Sequence, residues 1–447
     1  MEAMYRSLIS EFIHTGLLGA PTDFPDLLRR LPGIWPGLIV EHLEELSQGG
    51  SHVAQMARRL SEDARLGERA AARSPFACAM PVEHPLDFEW RFADVAIERL
   101  WSEYEGVASQ GPIIRHWGEE SPVPAEVVLL GSPSLLWSAF KKGMASRCLL
   151  LDSNENMVRW FLSAGIPQAM HCVIGHASLP NLQANFVVLD PPWYSPHYMS
   201  FLWDARSVCC VGAKVAVSLP PIGTRPGLEI ERAHLLHVVT QMGFQMVSLE
   251  SAALPYKSPF FEANALRAAG LRGVPLDWRR GDLLILRVER QNAMPRPPAP
   301  SWIPWPEVQI AGTRWRIDTQ KTFPLPNAVT KGGTATANQG DCVTLTSLVS
   351  GDVLPTVSSR VALRSSANVW TSGNRIFHCE QPHELFRALV GLQSRDFSSE
   401  PQKIDIGGYS DIVPDIHMKL ITRIREIIAA EREEMRQLGY ESWKTPV

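Results

Sequence analysis

The run Asp190-Pro191-Pro192-Trp193 combines residue types that can hold and activate an amine. Each proline fixes its φ angle near about −65° and has no N–H donor, so the run is rigid and its carbonyl groups point in fixed directions. The Asp190 carboxylate and the Pro191 carbonyl can accept the hydrogens of an exocyclic amine, which frees its lone pair to attack an electrophilic carbon. Trp193 or the following Tyr194 offers a flat surface on which a base can stack. The run therefore predicts transfer chemistry on a planar amine, driven by alignment and a nearby negative charge.

Two other positions are typical of a nucleotide-like cofactor site. Gly131 and Ser132 follow an apolar strand, at a turn where such a ligand can approach the backbone beside the start of a helix. Asp152 ends the next predicted strand about 20 residues later, the spacing at which a carboxylate accepts hydrogen bonds from ribose hydroxyls. We predict that these residues and Ser153 bind the cofactor. A helix cap for the segment 156–162 is the alternative role of Asp152.

Three residues further along the chain are candidates for the substrate wall. Arg225 follows the fourth predicted strand, in a loop at the edge where open α/β sheets bind ligands. It can meet a phosphate or carboxylate, and an ordinary surface salt bridge is the alternative. Tyr256 and Phe261 fall in another predicted loop at that edge, with simple packing under the loop as their alternative. We expect these residues and Tyr194 to bind the substrate.

Apolar strands that alternate with helical segments position these residues, and this pattern predicts a parallel sheet with helices on both faces. The predicted strands cover 127–130, 148–151, 186–189, 214–219, 245–249 and 282–287. The predicted fold class is α/β, with a Rossmann-like doubly wound sheet over residues 111–290. Gly131, Asp152 and Asp190 are then expected at the carboxyl edge of the sheet, where such folds bind ligands.

The segment before the sheet, residues 1–110, predicts a helical domain. Asp23 or Thr22 and, later, Ser51 are expected to cap helices in it. Short helices joined by tight turns also fit a helix-turn-helix or winged-helix module, with Arg58 and Arg59 facing a phosphate backbone. A plain packing or dimerisation domain has the same pattern.

The segments after the sheet predict a linker and a second small domain. Residues 291–306 are rich in proline and predict a stiff linker. Residues 307–447 predict a mixed α+β domain, in which 308–317 alternates like one strand and 382–392 has a helical pattern. The last predicted helix, 416–438, carries an apolar stripe that is typical of a docking face.

The composition of the chain excludes several classes of protein. Its 447 residues exceed what one hydrophobic core usually organises, so we expect two or three domains. No apolar run approaches the roughly 18 residues needed to span a bilayer, and no secretory signal is found, so we expect a cytoplasmic protein without membrane contact. The seven cysteines form no C-x-x-C pair, and we expect no metal site. The formal net charge of −4 argues against binding long nucleic acid by charge alone.

The segment around Asp190-Pro191-Pro192-Trp193 resembles the amino methyltransferases that carry an (Asp/Asn/Ser)-Pro-Pro-(Tyr/Phe/Trp) motif, most familiar from adenine-N6 and cytosine-N4 methyltransferases. The resemblance implies a class I methyltransferase sheet, S-adenosylmethionine as the cofactor and a nucleobase-like substrate. It also implies that Asp190 and the Pro191 carbonyl bind the target amine and that Trp193 stacks on the base.

In that family an acidic residue often contacts the adenine amine of the cofactor, and His176-Ala177 occupies the corresponding position here. The resemblance therefore makes His176 and Ala177 candidates for the cofactor site, with a surface or satisfied histidine as the alternative.

The order of these motifs also resembles the C-terminal domain of branched-chain polyamine synthases, which transfer aminopropyl groups. Those enzymes are expected to carry an acidic cluster after the glycine, whereas Gly131 is followed here by Ser132-Pro133-Ser134. Amine methylation is therefore the preferred prediction, with aminopropyl transfer as the alternative. The non-enzyme alternative is an interaction scaffold built on a degenerate methyltransferase-like domain. The expected partners are a nucleotide-like small molecule or nucleic acid, and a protein bound through the N- or C-terminal domain.

Overall fold

The computed structural model describes residues 2–67, 80–87, 89–106, 126–176, 179, 182–290, 294–300, 305–321, 343–358, 363–393 and 414–440. Within these residues, an eight-stranded mixed sheet is flanked by N-terminal helices and by a five-stranded antiparallel sheet near the C-terminus. The predicted fold class is thereby confirmed: a Rossmann-like α/β sheet with a helical N-terminal region and a mixed α+β C-terminal region.

The N-terminal layer consists of four helices. They are α1 (Glu2–Leu18), α2 (Phe24–Arg30), α3 (Pro36–Leu46) and α4 (His52–Leu66). The Asp23 carboxylate caps α2 by accepting from the Asp26 backbone N–H at 2.7 Å, and the Ser51 hydroxyl caps α4, because short polar side chains satisfy the unpaired N–H groups of a first turn. The apolar faces of these helices form one core with Leu266 and Trp278, so this layer packs on the region of the large sheet.

The winged-helix alternative for this layer stays a prediction, and the two arginines that it invokes have partners within the chain. Residues 2–67 contain no strand that would form a wing. The Arg58 guanidinium donates to the Ser47 carbonyl at 2.9 Å, and that of Arg59 donates to the Pro21 carbonyl at 3.0 Å. Both arginines therefore hold turns between helices.

The large sheet contains all six predicted strands and two short ones that the pattern did not reveal. Its strands are β1 (Arg91–Phe92), β2 (Val127–Leu130), β3 (Cys148–Asp152), β4 (Ala169–His171), β5 (Ala184–Leu189), β6 (Cys209–Leu219), β7 (Phe244–Lys257) and β8 (Arg280–Val288). The strand order is β1-β7-β8-β6-β5-β2-β3-β4. Strands β2 to β6 are parallel and follow the Rossmann order, and β8 runs antiparallel between β6 and β7.

Helices cover both faces of this sheet. They are α5 (Asp94–Glu105), α6 (Pro133–Lys141), α7 (Glu155–Ser163), α8 (Ser195–Val208), α9 (Leu228–Gln241) and α10 (Phe260–Ala268). Because strand side chains alternate, Val127 and Leu129 of β2 join the core under α5 to α7, whereas Val128 and Leu130 join the core under α8 and α9. Although α5 and β1 fall within 1–110, β1 pairs with β7 and α5 packs on the sheet.

The C-terminal region forms a smaller sheet covered by helices. Its elements are β9 (Glu307–Ile310), β10 (Thr313–Ile317), β11 (Thr346–Ser347), α11 (Leu363–Ser366), β12 (Val369–Thr371), β13 (Ile376–His378), α12 (Pro382–Gln393) and α13 (Pro414–Gln437). The prediction of one strand over 308–317 is wrong, because Ala311 and Gly312 adopt positive φ angles of 49° and 90° and turn the chain into a hairpin.

The apolar stripe of α13 is already covered. Its side chains Ile421, Ile424, Ile427 and Ile428 are buried in the core of the smaller sheet. This stripe therefore docks the helix within its own chain. Within the described residues, no helix combines the length and apolar character that crossing a membrane requires.

Candidate functional site

The site lies where the strand order reverses, between β2 and β5. The chain leaves β2 toward β3 on one side and leaves β5 toward β6 on the other, which opens a crevice at the carboxyl ends of both strands. Gly131 directly follows β2, and Asp190 directly follows β5. The Asp190 backbone N–H donates to the Leu130 carbonyl at 3.1 Å, so the two predicted sites are neighbours.

Gly131 occupies a position that admits glycine alone without strain. Its φ angle is +69°, and a Cβ atom placed on it would lie 3.1 Å from the Asp190 carbonyl oxygen. Its N–H donates to the Leu151 carbonyl at 3.0 Å, and α6 starts immediately after the buried Ser132. The turn thus brings bare backbone to the crevice beside a helix start, as a nucleotide-like ligand requires.

The carboxyl group of Asp190 lies in this crevice and has a raised pKa. The Tyr256 hydroxyl donates to its Oδ1 at 2.7 Å, and the Ser218 and Tyr256 hydroxyls form a short hydrogen bond with each other. Burial raises the pKa of Asp190 to about 7, although the hydrogen bonds from Tyr256 and Ser218 favour the ionised form. A carboxyl group that titrates near neutral pH can accept or return a proton during a reaction.

The aromatic residues after Asp190 form a wall beside this carboxyl. The Trp193 ring meets the Tyr256 ring edge to face, with 5.8 Å between centroids. The Arg279 guanidinium lies 5.7 Å from the Trp193 centroid. Arg225 donates to the Trp193 carbonyl at 3.0 Å and lies 5.6 Å over the Tyr194 ring. The Arg225 side chain therefore fixes the turn that carries both rings.

The two roles considered for Arg225 can be compared directly. Its Nη2 donates to the Glu231 carboxylate at 2.6 Å, so its charge is neutralised by a residue of α9. The structure thus shows the salt bridge, and it also places Arg225 on the wall of the cavity beside Asp190.

Asp152 lies buried at the end of β3, next to the half-buried Ser153. Its Oδ1 accepts from the Asn154 backbone N–H at 2.7 Å, whereas the N-terminal cap of α7 is the Asn154 side chain. Burial and then the nearby Glu89 carboxylate raise the pKa of Asp152 to about 8. The carboxyl therefore shapes the loop after β3, and its position matches that of a ribose acceptor in this fold.

A buried charge network connects this edge to the C-terminal sheet. The Arg314 guanidinium donates to Asp87 at 2.7 Å and to both carboxylate oxygens of Glu307, and Arg316 pairs with the same two acids. Asn156 of α7 donates to Glu307 at 2.8 Å. Sequence reasoning missed this network, because its members come from distant parts of the chain and no local pattern pairs them.

The loop after β4 faces the proline-rich segment. The ring Nε2 of His176 lies 2.9 Å from the Pro300 carbonyl oxygen, and a Cβ on Gly175 would contact Pro300 at 3.3 Å. Arg296 forms an ion pair with Asp204 of α8 at 3.0 Å. His176 thus has a partner within the chain, which matches the satisfied alternative, while Ala177 lies outside the described residues.

A cavity of about 640 Å³ opens beside Asp190. The N-terminal helices, the large sheet and the C-terminal region all line it. The predicted site residues on its wall are Asp190, Pro191, Pro192, Trp193, Tyr194, Arg225, Tyr256 and Phe261, whereas Gly131, Ser132, Asp152, Ser153 and His176 lie outside this wall.

The prediction that Tyr256 and Phe261 lie in a loop is wrong. Tyr256 lies within β7, where it pairs with Phe92 of β1, and Phe261 lies in the first turn of α10. Sequence reasoning also missed several residues that line the cavity. These are Tyr5, Trp35, Leu38 and Glu41 from the N-terminal layer, Trp90, Trp278 and Arg279 near the sheet, and Pro355, Thr356, Val357, Ser358 and Arg364 from the C-terminal region.

Comparisons with solved structures find distant similarities. The branched-chain polyamine synthase from Thermus thermophilus is 16% identical, with 66% of this chain and 90% of that chain covered and a TM-score of 0.45. The 16S rRNA N2 G1207 methyltransferase of T. thermophilus is 15% identical over 48% of this chain and 45% of its own, with a TM-score of 0.25. A SAM-dependent methyltransferase from Aquifex aeolicus is 11% identical over 43% of this chain and 89% of its own, with a TM-score of 0.26.

No family model matches the chain, and no curated protein matches it either. At these identities the similarities concern the fold alone. The order and direction of the strands define the fold as a Rossmann-like α/β sheet.

Proposed function

We propose that the protein transfers a methyl group from S-adenosylmethionine to an exocyclic amine of a nucleobase-like substrate. The observation that carries this proposal is the carboxyl group of the half-buried Asp190. It lies at the switch point of the sheet, is held by the Tyr256 hydroxyl and opens onto a cavity with aromatic walls.

The residues around the crevice suit the proposed cofactor. The Gly131-Ser132 turn offers backbone at close range, and the Asp152 carboxyl with Ser153 offers hydrogen-bonding groups for ribose hydroxyls. The cofactor, when bound, supplies an electrophilic methyl carbon. His176 contributes to this site only if its ring exchanges the Pro300 carbonyl for a ligand group.

Asp190 and its neighbours then align the amine. Since Oδ1 of Asp190 is bonded to Tyr256, its Oδ2 is the oxygen that accepts a hydrogen of the substrate amine, and the Pro191 carbonyl accepts the other. The ionised carboxylate stabilises positive charge that develops on the amine, an effect strengthened by burial. Its pKa of about 7 allows it to take up the released proton. Trp193, anchored through its carbonyl by Arg225, supports the flat substrate.

Calorimetric titration tests the cofactor half of the proposal. Wild-type protein, Asp152→Asn and the exposed control Asp94→Asn are titrated with S-adenosylmethionine and with its decarboxylated form. We expect micromolar binding of S-adenosylmethionine that is weakened by Asp152→Asn and unchanged by Asp94→Asn. The weakening should grow to about tenfold or more above pH 8, where the Asp152 carboxyl is ionised, since a lost charge-assisted hydrogen bond costs about 1.5–3 kcal/mol. Preference for the decarboxylated form would replace methyl transfer with aminopropyl transfer, and binding of neither form by folded protein would favour a scaffold.

Transfer of radiolabelled methyl groups tests the substrate half. Nucleosides, nucleotides and short RNA and DNA strands are incubated with wild-type protein and with Asp190→Asn. Incorporation into an exocyclic amine that disappears in Asp190→Asn is the expected result. Incorporation that survives this substitution would contradict the role of Asp190.

A further inference from the structure

The cavity beside Asp190 holds a cation without a carboxylate partner among the described residues. Arg364 of α11 lines the cavity and donates through Nη2 to the Val357 carbonyl at 3.2 Å. Its guanidinium lies 4.3 Å over the Trp370 ring, and its Nε is buried with no hydrogen-bond partner in the described part of the chain. Burial lowers the pKa of Arg364 to about 10, so the group is still charged at neutral pH.

The other two arginines of the cavity are neutralised. Arg225 pairs with Glu231, and the Arg279 Nε donates to the buried Glu262 carboxylate at 3.0 Å. Arg364 is half-buried, and a poorly solvated charge without a counter-ion destabilises a protein unless a ligand compensates it. The arrangement around Arg364 therefore indicates a site for an anionic group.

Two of the charged residues that line the cavity suit two parts of one ligand. Asp190 provides a carboxylate for an amine, and Arg364, contributed by a different region of the chain, provides donors for an anion. Aromatic rings of Trp90 and Trp193 line the same space, and bases stack on such surfaces. A volume of about 640 Å³ lies within the range of small-molecule pockets. A polyamine, by contrast, would bring positive charge to Arg364.

We propose that Arg364 binds the phosphate of a nucleotide whose base presents its amine to Asp190; this inference rests on the proposed function and adds the substrate class. The nucleotide can be free or part of a single strand, because both carry the same phosphate chemistry.

Tryptophan fluorescence provides the readout, since Trp35, Trp90, Trp193 and Trp278 line the cavity. The full chain is titrated with the four common ribonucleosides, with their 5′-monophosphates and with a short single-stranded oligonucleotide. At least one monophosphate is expected to bind about tenfold to a hundredfold more tightly than its nucleoside, which is the size expected for charge-assisted hydrogen bonds. Competition between the preferred monophosphate and the oligonucleotide then shows which form is preferred.

Variants assign this preference to one side chain. Arg364→Met keeps an apolar stem over Trp370 and should abolish the preference, whereas Arg364→Lys should retain part of it. Arg387→Met is the matched control, because Arg387 is exposed on α12 and pairs with Glu384. Its preference for the monophosphate should equal that of the wild type.

Several results would overturn the proposal. Equal affinities of the wild type for nucleosides and monophosphates would contradict the proposal, and so would the absence of binding by any probe. An unchanged preference in folded Arg364→Met would do so as well. If the monophosphate preference depends on Arg364 but S-adenosylmethionine does not bind in the calorimeter, the anion site stands and the proposed function fails.

Discussion

Replacing the Asp190 carboxyl by an amide should stabilise the protein while abolishing its activity. In Asp190→Asn the side-chain oxygen can still accept the Tyr256 hydroxyl, so the hydrogen-bond geometry is kept. The amide cannot ionise, and it therefore escapes the cost of a poorly solvated negative charge. The site would then be an example of stability given up for function.

The size of the effect follows from the pKa of Asp190, which burial raises from 3.8 to about 7. Because the folded state holds this proton more tightly than the unfolded state, the free energy of unfolding falls as the pH rises from about 4 to about 7 and is then constant. A tenfold change in acid dissociation constant is worth about 1.4 kcal/mol, so the carboxyl costs about 4 kcal/mol at pH 8 and about 2 kcal/mol at pH 5.

Chemical denaturation of the wild type and Asp190→Asn at both pH values provides the assay. The amide variant should be the more stable protein at pH 8, and its advantage should shrink by about half at pH 5. Equal stability at pH 8, or an advantage that does not change with pH, would refute the assignment of a poorly solvated, proton-holding carboxyl. A variant that keeps methyl transfer would separately refute its catalytic role.

Other substitutions test the surroundings of the site. Tyr256→Phe removes a hydrogen bond that favours the ionised form of Asp190, so the pH of half-maximal activity should rise by about one unit. An unchanged pH profile of activity would contradict this coupling. Gly131→Ala should lower the free energy of unfolding by about 1–2 kcal/mol more than Gly143→Ala in denaturant titrations, because both glycines have φ near +70° but only Gly131 approaches another strand's backbone. Arg314→Met leaves two buried carboxylates without their main partner and should cost about 3–5 kcal/mol in thermal or chemical unfolding, whereas Arg436→Met, at an exposed pair, should change stability by less than about 1 kcal/mol.

The large sheet was predictable because its strands are short, continuous apolar runs. Buried parallel strands need such runs, and the order of strands in a Rossmann-like sheet then brings the ends of β2 and β5 together. The proximity of Gly131 and Asp190 follows from this order alone. The turn at Ala311-Gly312 was not predictable from the local pattern. Apolar and polar residues alternate in both strands of this hairpin, so the pattern resembles one continuous strand.

The remaining features depend on contacts between distant parts of the chain. Tyr256 lies between Pro255 and Pro259, a composition that favours a loop, yet pairing with β1 keeps it in a strand. Arg364 and Trp90 carry no local signal that would bring them to Asp190. Their positions are set by the packing of the two outer regions on the sheet, which no periodicity encodes.

The shared cavity also determines when the protein can become competent during its synthesis. Asp190 and the proposed cofactor turn leave the ribosome long before Arg364 does. At about 5–20 residues per second the interval is on the order of ten to thirty seconds. During that time the nascent chain can fold its central sheet while the pocket lacks one side. The chain therefore completes the lining of this cavity only after the segment that contains Arg364 has been translated.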